Sequence, residues 1–232
     1  MKKVATLGLV VLATTLLTVG AVAVFYYSNP LLKIKKINDF YIFDNANKNQ
    51  DITLIYLLTD GGSAARDLVA AWAAHAGKYN LVIITPTYFM TERVDVVAAI
   101  LNMQQRYRPK LTALVGFSSH GYFACSIALE DGKFGNVAIV PMGASCGGGS
   151  VKKITPALSD TPILSVVGER DDWARGRYYL EHEEDYIQES SRGLKKQFNI
   201  IQESYYVPGN GHEYPFETIP YILNWISLKV NR

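Results

Sequence analysis

Cysteine, histidine and surplus charge are all scarce in this chain, and each scarcity narrows what it can be. Two cysteines, Cys125 and Cys146, occur without a C-x-x-C pair or any zinc-finger spacing. At most one disulfide can therefore form, a usage that fits an exported protein. The formal net charge is only +2, and no long basic stripe concentrates it. That balance argues against a nucleic-acid partner. Four histidines are present, His75, His120, His182 and His212, so any imidazole chemistry must be chosen from a short set.

What is present is ordinary globular material with one appendage. The 232 residues are 49% hydrophobic and 19% charged, enough for a single folded domain. Ahead of it, Met1-Lys2-Lys3 precedes a run from Val4 to Tyr27 without a charged residue. Its 24 residues are long enough to span a bilayer, which takes roughly 20 apolar residues. Ala21-Val22-Ala23 also offers a small-x-small cleavage site. Residues 1–27 are thus expected to form a hydrophobic helix acting as a signal anchor, or a signal peptide. In either case the remainder is expected outside the cytoplasm, membrane-anchored, secreted or periplasmic. Lys2 and Lys3 favour a cytoplasmic N-terminus, against Lys33, Lys35 and Lys36 on the other flank.

Residues 28–50 are polar and Lys-rich around Phe40-Tyr41-Ile42-Phe43, and read as a linker with one early strand. From Asp51 a cycle begins. Short apolar runs at Ile52–Leu58, Leu81–Thr85, Leu111–Val115, Asn136–Val140, Pro162–Val167 and Ile200–Val207 have the composition of buried strands. Helical patterns separate them at Ala64–Ala76, Val94–Tyr107 and Tyr122–Leu129, within Gly176–Phe198, and finally at Phe216–Lys229. Strands alternating with helices imply a three-layer α/β/α sandwich with a mostly parallel sheet. Ligands of such sheets sit beyond the carboxyl ends of the strands.

Three strand ends carry candidate chemistry. Leu111–Val115 runs into Gly116-Phe117-Ser118-Ser119-His120-Gly121, delivering a serine at a tight turn just before a helix. Gly116 is small where strand and helix nearly touch, which favours Ser118; a register using Ser119 places Gly121 correctly but puts Phe117 where a small residue belongs. Pro162–Val167 ends in Gly168-Glu169-Arg170-Asp171-Asp172, with Asp171 at the third position after the glycine and Asp172 and Glu169 as alternatives. Tyr205-Tyr206-Val207-Pro208-Gly209-Asn210-Gly211-His212 opens a glycine-rich turn holding a histidine. His75 and His182 fall on surface helices, and His120 adjoins the serine but lacks such a loop.

Taken in chain order, Ser118, Asp171 and His212 resemble the α/β-hydrolase family, whose serine pattern is G-x-S-x-G and whose triad order is Ser, Asp, His. The second glycine is displaced here by His120, with Gly121 one place later. The resemblance spans roughly Asp51 to Val230, in a domain read as residues 51–232, and implies a small serine esterase using a catalytic triad and an acyl-enzyme. It also implies an oxyanion hole from the N–H of Ser119 and that of Gly62 or Gly61, in the loop Asp60-Gly61-Gly62-Ser63. No metal or organic cofactor is called for.

Only about 20 residues separate Val140 from Pro162, including Gly147-Gly148-Gly149 and Lys152-Lys153. Relatives often carry a helical lid there. The layout resembles lidless carboxylesterases, dienelactone-hydrolase-like and polyester-depolymerase-like enzymes, with a small-molecule or polymer-borne acyl substrate. Tyr88, Phe89, Tyr122 and Trp173 are candidate pocket aromatics. A peptidase or acyltransferase on the same triad, and an inactive envelope-associated binding protein, are the alternatives. His120 in the elbow motivates the last.

Overall fold

A computed structural model describes residues 33–59, 61–88, 92–131, 133–147, 160–175 and 185–230. The hydrophobic run of residues 1–27, Asp60, Phe89, Lys152, Lys153 and His182 lie outside the described residues. Among those described, no helix is long and apolar enough to cross a membrane.

Eight strands form one sheet in the order β1-β2-β4-β3-β5-β6-β7-β8. They are β1 (Ile34–Ile37), β2 (Phe40–Asp44), β3 (Thr53–Leu58), β4 (Leu81–Pro86), β5 (Leu111–Phe117), β6 (Val137–Met142), β7 (Ile163–Gly168) and β8 (Gln202–Val207). The strands from β4 across to β8 are parallel, whereas β1 and β2 make an antiparallel hairpin on one edge. Parallel neighbours need crossovers; α1 (Gly62–Ala73), α2 (Arg93–Tyr107), α3 (Ser119–Asp131) and α4 (Tyr186–Phe198) lie between successive strands, and α5 (Ile219–Val230) follows β8. A 3₁₀ turn, Phe216–Thr218, precedes α5.

All six residues of β3 and of β4 are buried, because apolar layers cover both faces. Alternate side chains of β3 divide between two cores. Leu54, Tyr56 and Leu58 join Val96 and Ile100 of α2, Ala124 and Ile127 of α3, and Leu194 of α4. Ile55 and Leu57 face the other way, toward Val69 and Trp72 of α1 and Ile222 and Trp225 of α5. This is the three-layer sandwich expected from the alternation of runs.

Several boundaries differ from the sequence expectation for identifiable reasons. The single early strand is a two-stranded hairpin, turned at Asn38 with φ +50°. Lys35 and Lys36, exposed in the middle of β1, break the apolar signal there. Helix α1 begins at Gly62, two residues earlier than the pattern suggests, and ends at Ala73. The chain then tightens through His75 N–H to Trp72 O and Ala76 N–H to Ala73 O at 3.1 Å each. Strand β6 continues past Val140 through Pro141 to Met142. Proline lacks a donor for a sheet, but pairing with β7 occurs at Ile139 and Met142, and Pro141 falls between them.

Cys125 and Cys146 form a disulfide, with Cα atoms 5.1 Å apart. It ties α3 to the loop after β6, and both residues are fully buried. Around it, Gln202 of β8 accepts the Cys146 N–H at 3.1 Å, and Ser145 bonds Ser190 of α4. The bridge closes a loop of sequence separation 21, which by chain entropy contributes about 3 kcal/mol. The double variant Cys125→Ala/Cys146→Ala should therefore unfold roughly 6–12 °C lower in a thermal melt. An unchanged melting temperature would contradict that role.

Candidate active site

Ser118 stands between β5 and α3 with φ +54°, a left-handed conformation that a serine adopts only under constraint. Its N–H donates to Met142 O at the end of β6 at 2.8 Å. The turn is so tight that a Cβ at Gly116 would overlap the His120 carbonyl. A Cβ at Gly121 would come within 2.7 Å of that of Ala144. These close approaches explain why small residues occupy both positions, the second glycine serving one place later than in the usual pattern.

The acid and histidine loops are clamped to each other. Arg170 N–H donates to Asn210 O at 2.8 Å, and the Arg170 guanidinium donates to Gly209 O. Gly209 N–H in turn donates to the Glu169 carboxylate at 3.1 Å. Gly168 lies so near the Gly211 carbonyl that any side chain there would collide with it. Fixed in this way, His212 projects back over the elbow.

The three side chains meet in a hydrogen-bonded chain. His212 Nε2 is 3.0 Å from Ser118 Oγ, and His212 Nδ1 is 2.8 Å from Asp171 Oδ2. Asp171 is 1% exposed, and its other oxygen accepts the Ala174 N–H at 2.9 Å. The carboxylate thus has two donors inside the protein, while Ser118 remains reachable from solvent. Asp172 is exposed, and its N–H bonds Arg170 O at 3.0 Å; Glu169 faces Gly209. Ser119 is exposed as the first residue of α3, His75 is exposed beyond α1, and His120 is half-buried on α3.

Two aromatic rings lie against the imidazole. Phe117 lies 5.0 Å and Trp173 4.6 Å from it, centroid to centroid. Phe117 also packs 5.7 Å from Tyr214, whose hydroxyl accepts the Trp72 indole N–H at 2.9 Å. Burial pushes the Tyr214 hydroxyl well above its ordinary range, so it stays neutral in that role. Neither Phe117 nor Tyr214 was marked by the sequence patterns; only their positions, one residue before Ser118 and two after His212, hinted at them.

Two helix N-termini face the same region. Ser119 opens α3 and Gly62 opens α1, so neither N–H has an acceptor within its own helix. Strands β3 and β5 are adjacent with Leu58 opposite Gly116, which brings the two helix starts side by side. Gly61 is used differently. Its N–H donates to Thr59 Oγ at 2.9 Å, its φ is +78°, and it bridges to Tyr88. Among the described residues, no cluster of three or more His, Cys, Asp or Glu side chains is arranged to hold a metal.

This sheet order, with a serine elbow after β5 and the acid and histidine loops after β7 and β8, is the α/β-hydrolase fold. Comparison with solved structures agrees. An S-formylglutathione hydrolase from Agrobacterium tumefaciens superposes with a TM-score of 0.55 at 12% identity, over 82% of this chain and 89% of that one. A truncated carbohydrate esterase from gut microbiota gives 0.56 at 12% identity, over 85% and 93%. An arylesterase gives 0.55 at 14% identity, over 85% and 83%. At such identities the likeness concerns the fold. No family model matches the chain, and no curated protein does.

The elbow's geometry generates a prediction of its own. Gly116→Ala forces the new methyl into the His120 carbonyl and should destabilise the protein by about 1–3 kcal/mol. Urea unfolding measures this, and a variant as stable as the parent would mean that the turn is not tight.

Proposed function

We propose that this protein is a serine hydrolase that cleaves carboxylic ester bonds, with Ser118 as nucleophile, His212 as general base and acid, and Asp171 as the group orienting His212. The observation that carries this reading is the unbroken chain from Ser118 Oγ through both ring nitrogens of His212 to Asp171. The esterases among its structural neighbours support an ester as the substrate class.

In this mechanism Ser118 Oγ attacks the ester carbonyl while His212 Nε2 takes its proton. Asp171 accepts from Nδ1, fixing the tautomer and stabilising the imidazolium. The carbonyl oxygen becomes an oxyanion, for which the N–H groups of Ser119 and Gly62 at two helix N-termini are the donors. Collapse breaks the bond to the alcohol, which leaves with the proton from His212. Water, deprotonated by the same imidazole, then attacks the acyl-enzyme; the bond to Ser118 Oγ breaks, the carboxylic acid leaves, and His212 returns the proton to Oγ.

The domain is assigned a position outside the cytoplasm, tethered or released through the apolar run of residues 4–27. The buried Cys125–Cys146 disulfide supports an oxidising compartment. Fractionation of cells producing the full chain should find it with membranes or outside the cytoplasm, and a cytoplasmic location would refute the assignment.

Catalysis is tested directly with a fluorophosphonate probe and p-nitrophenyl acetate. Ser118→Ala should abolish both labelling and turnover, whereas Ser119→Ala should keep the label. Asp171→Asn should lower kcat by about 10⁴-fold with the fold intact. A wild-type protein that neither labels nor turns over would be a binding protein on this fold.

A further inference from the structure

Trp173 has no part in the steps above, yet it stands beside the ring that must protonate the leaving group. It lies two residues past Asp171, in a turn pinned by Ala174 N–H to Asp171 Oδ1 at 2.9 Å and Arg175 N–H to Asp171 O at 3.0 Å. Its ring centroid is 4.6 Å from that of His212, with 51° between planes. Tyr122 of α3 meets it edge-on at 6.1 Å and 70°. Despite these neighbours, Trp173 is 42% exposed. A large, flat apolar surface is thus held in a fixed orientation and left open to solvent next to the reacting groups.

The chemistry decides which half of an ester meets this surface. When the tetrahedral intermediate collapses, the alcohol oxygen must be within hydrogen-bond reach of His212 Nε2. Atoms attached to that oxygen then come within reach of the indole packed on the same imidazole. The acyl half is held elsewhere, through its carbonyl oxygen at the starts of α1 and α3. A planar ring on the alcohol side can stack against the indole in an offset or edge-to-face arrangement, which aromatic pairs favour beyond simple area burial. A small aliphatic alcohol covers little of it.

We infer that Trp173, backed by Tyr122, forms the leaving-group subsite and selects esters whose alcohol portion carries an aromatic ring. The inference rests on the hydrolase reading of Ser118, His212 and Asp171.

Benzyl acetate and ethyl acetate share an acyl group and differ in the alcohol, so together they isolate the subsite. In Trp173→Ala, kcat/KM for benzyl acetate should fall about tenfold while that for ethyl acetate changes by less than about twofold. Equal losses on both esters would overturn the inference and make Trp173 a support for His212. Binding supplies a readout that needs no turnover. Benzyl alcohol added to the Ser118→Ala protein should show saturation-transfer NMR contacts, and these should vanish in Ser118→Ala/Trp173→Ala. Contacts that persist in the double variant would also overturn it. If the wild type cleaves neither ester while benzyl alcohol still binds through Trp173, the aromatic subsite stands and the hydrolase reading fails.

Discussion

Beyond the last paired residues of the strands, the register of the sheet is carried into the loops by main-chain hydrogen bonds. Ser118 N–H reaches Met142 O, Gly143 N–H reaches Val166 O, Glu169 N–H reaches Val207 O and Arg170 N–H reaches Asn210 O, all within 2.8–2.9 Å. Each bond joins the end of one strand to its neighbour, so the serine, acid and histidine loops are successive rungs of one structure. Side-chain geometry at the site follows from this ladder. A hydrogen-bonded trio of side chains on free loops would carry the entropic cost of ordering each loop; here the backbone has already met it.

The close packing of glycines is the second half of the same constraint. Gly116 and Gly168 sit where backbone meets backbone with no room for a methyl group, Gly121 is as tightly placed against the Ala144 Cβ, and Gly143, at φ +56°, lies against Phe117 and His212. With those gaps closed, the loops cannot settle into alternative positions, and the strained φ of Ser118 persists because everything around it is determined. Placement and rigidity have one cause here: the hydroxyl is positioned by the sheet.

Much of this was legible in the sequence because the relevant signals are local. A continuous apolar run such as Thr53–Leu58 identifies a strand buried on both faces, and the residues just after each run identify the carboxyl-end rim. That logic led to Ser118, Asp171 and His212, which the fold brings together. What depends on layers crossing was not legible. The Cys125–Cys146 pairing requires α3 to lie over the loop after β6, and β1 was hidden by two lysines at an exposed edge. The choice between Ser118 and Ser119 was open on spacing alone; the hydrogen bond from His212 depends on the left-handed turn, which no residue pattern specifies. Trp173 is one of four aromatics that the sequence offers for a pocket; only its contact with the imidazole separates it from the others.

The disulfide has a topological consequence. Between Cys125 and Cys146 the chain finishes α3, turns at Phe134 and runs the whole length of β6, so helix and strand are two sides of a covalently closed ring. That ring contains Met142, whose carbonyl holds the Ser118 amide, and it begins seven residues after the serine itself. The bond fixes one end of that ring, so Cys125 of the helix and the loop after the strand cannot part there while it is intact. The turn that carries Ser118 is therefore braced from one side by a covalently closed ring, through the carbonyl that its amide meets.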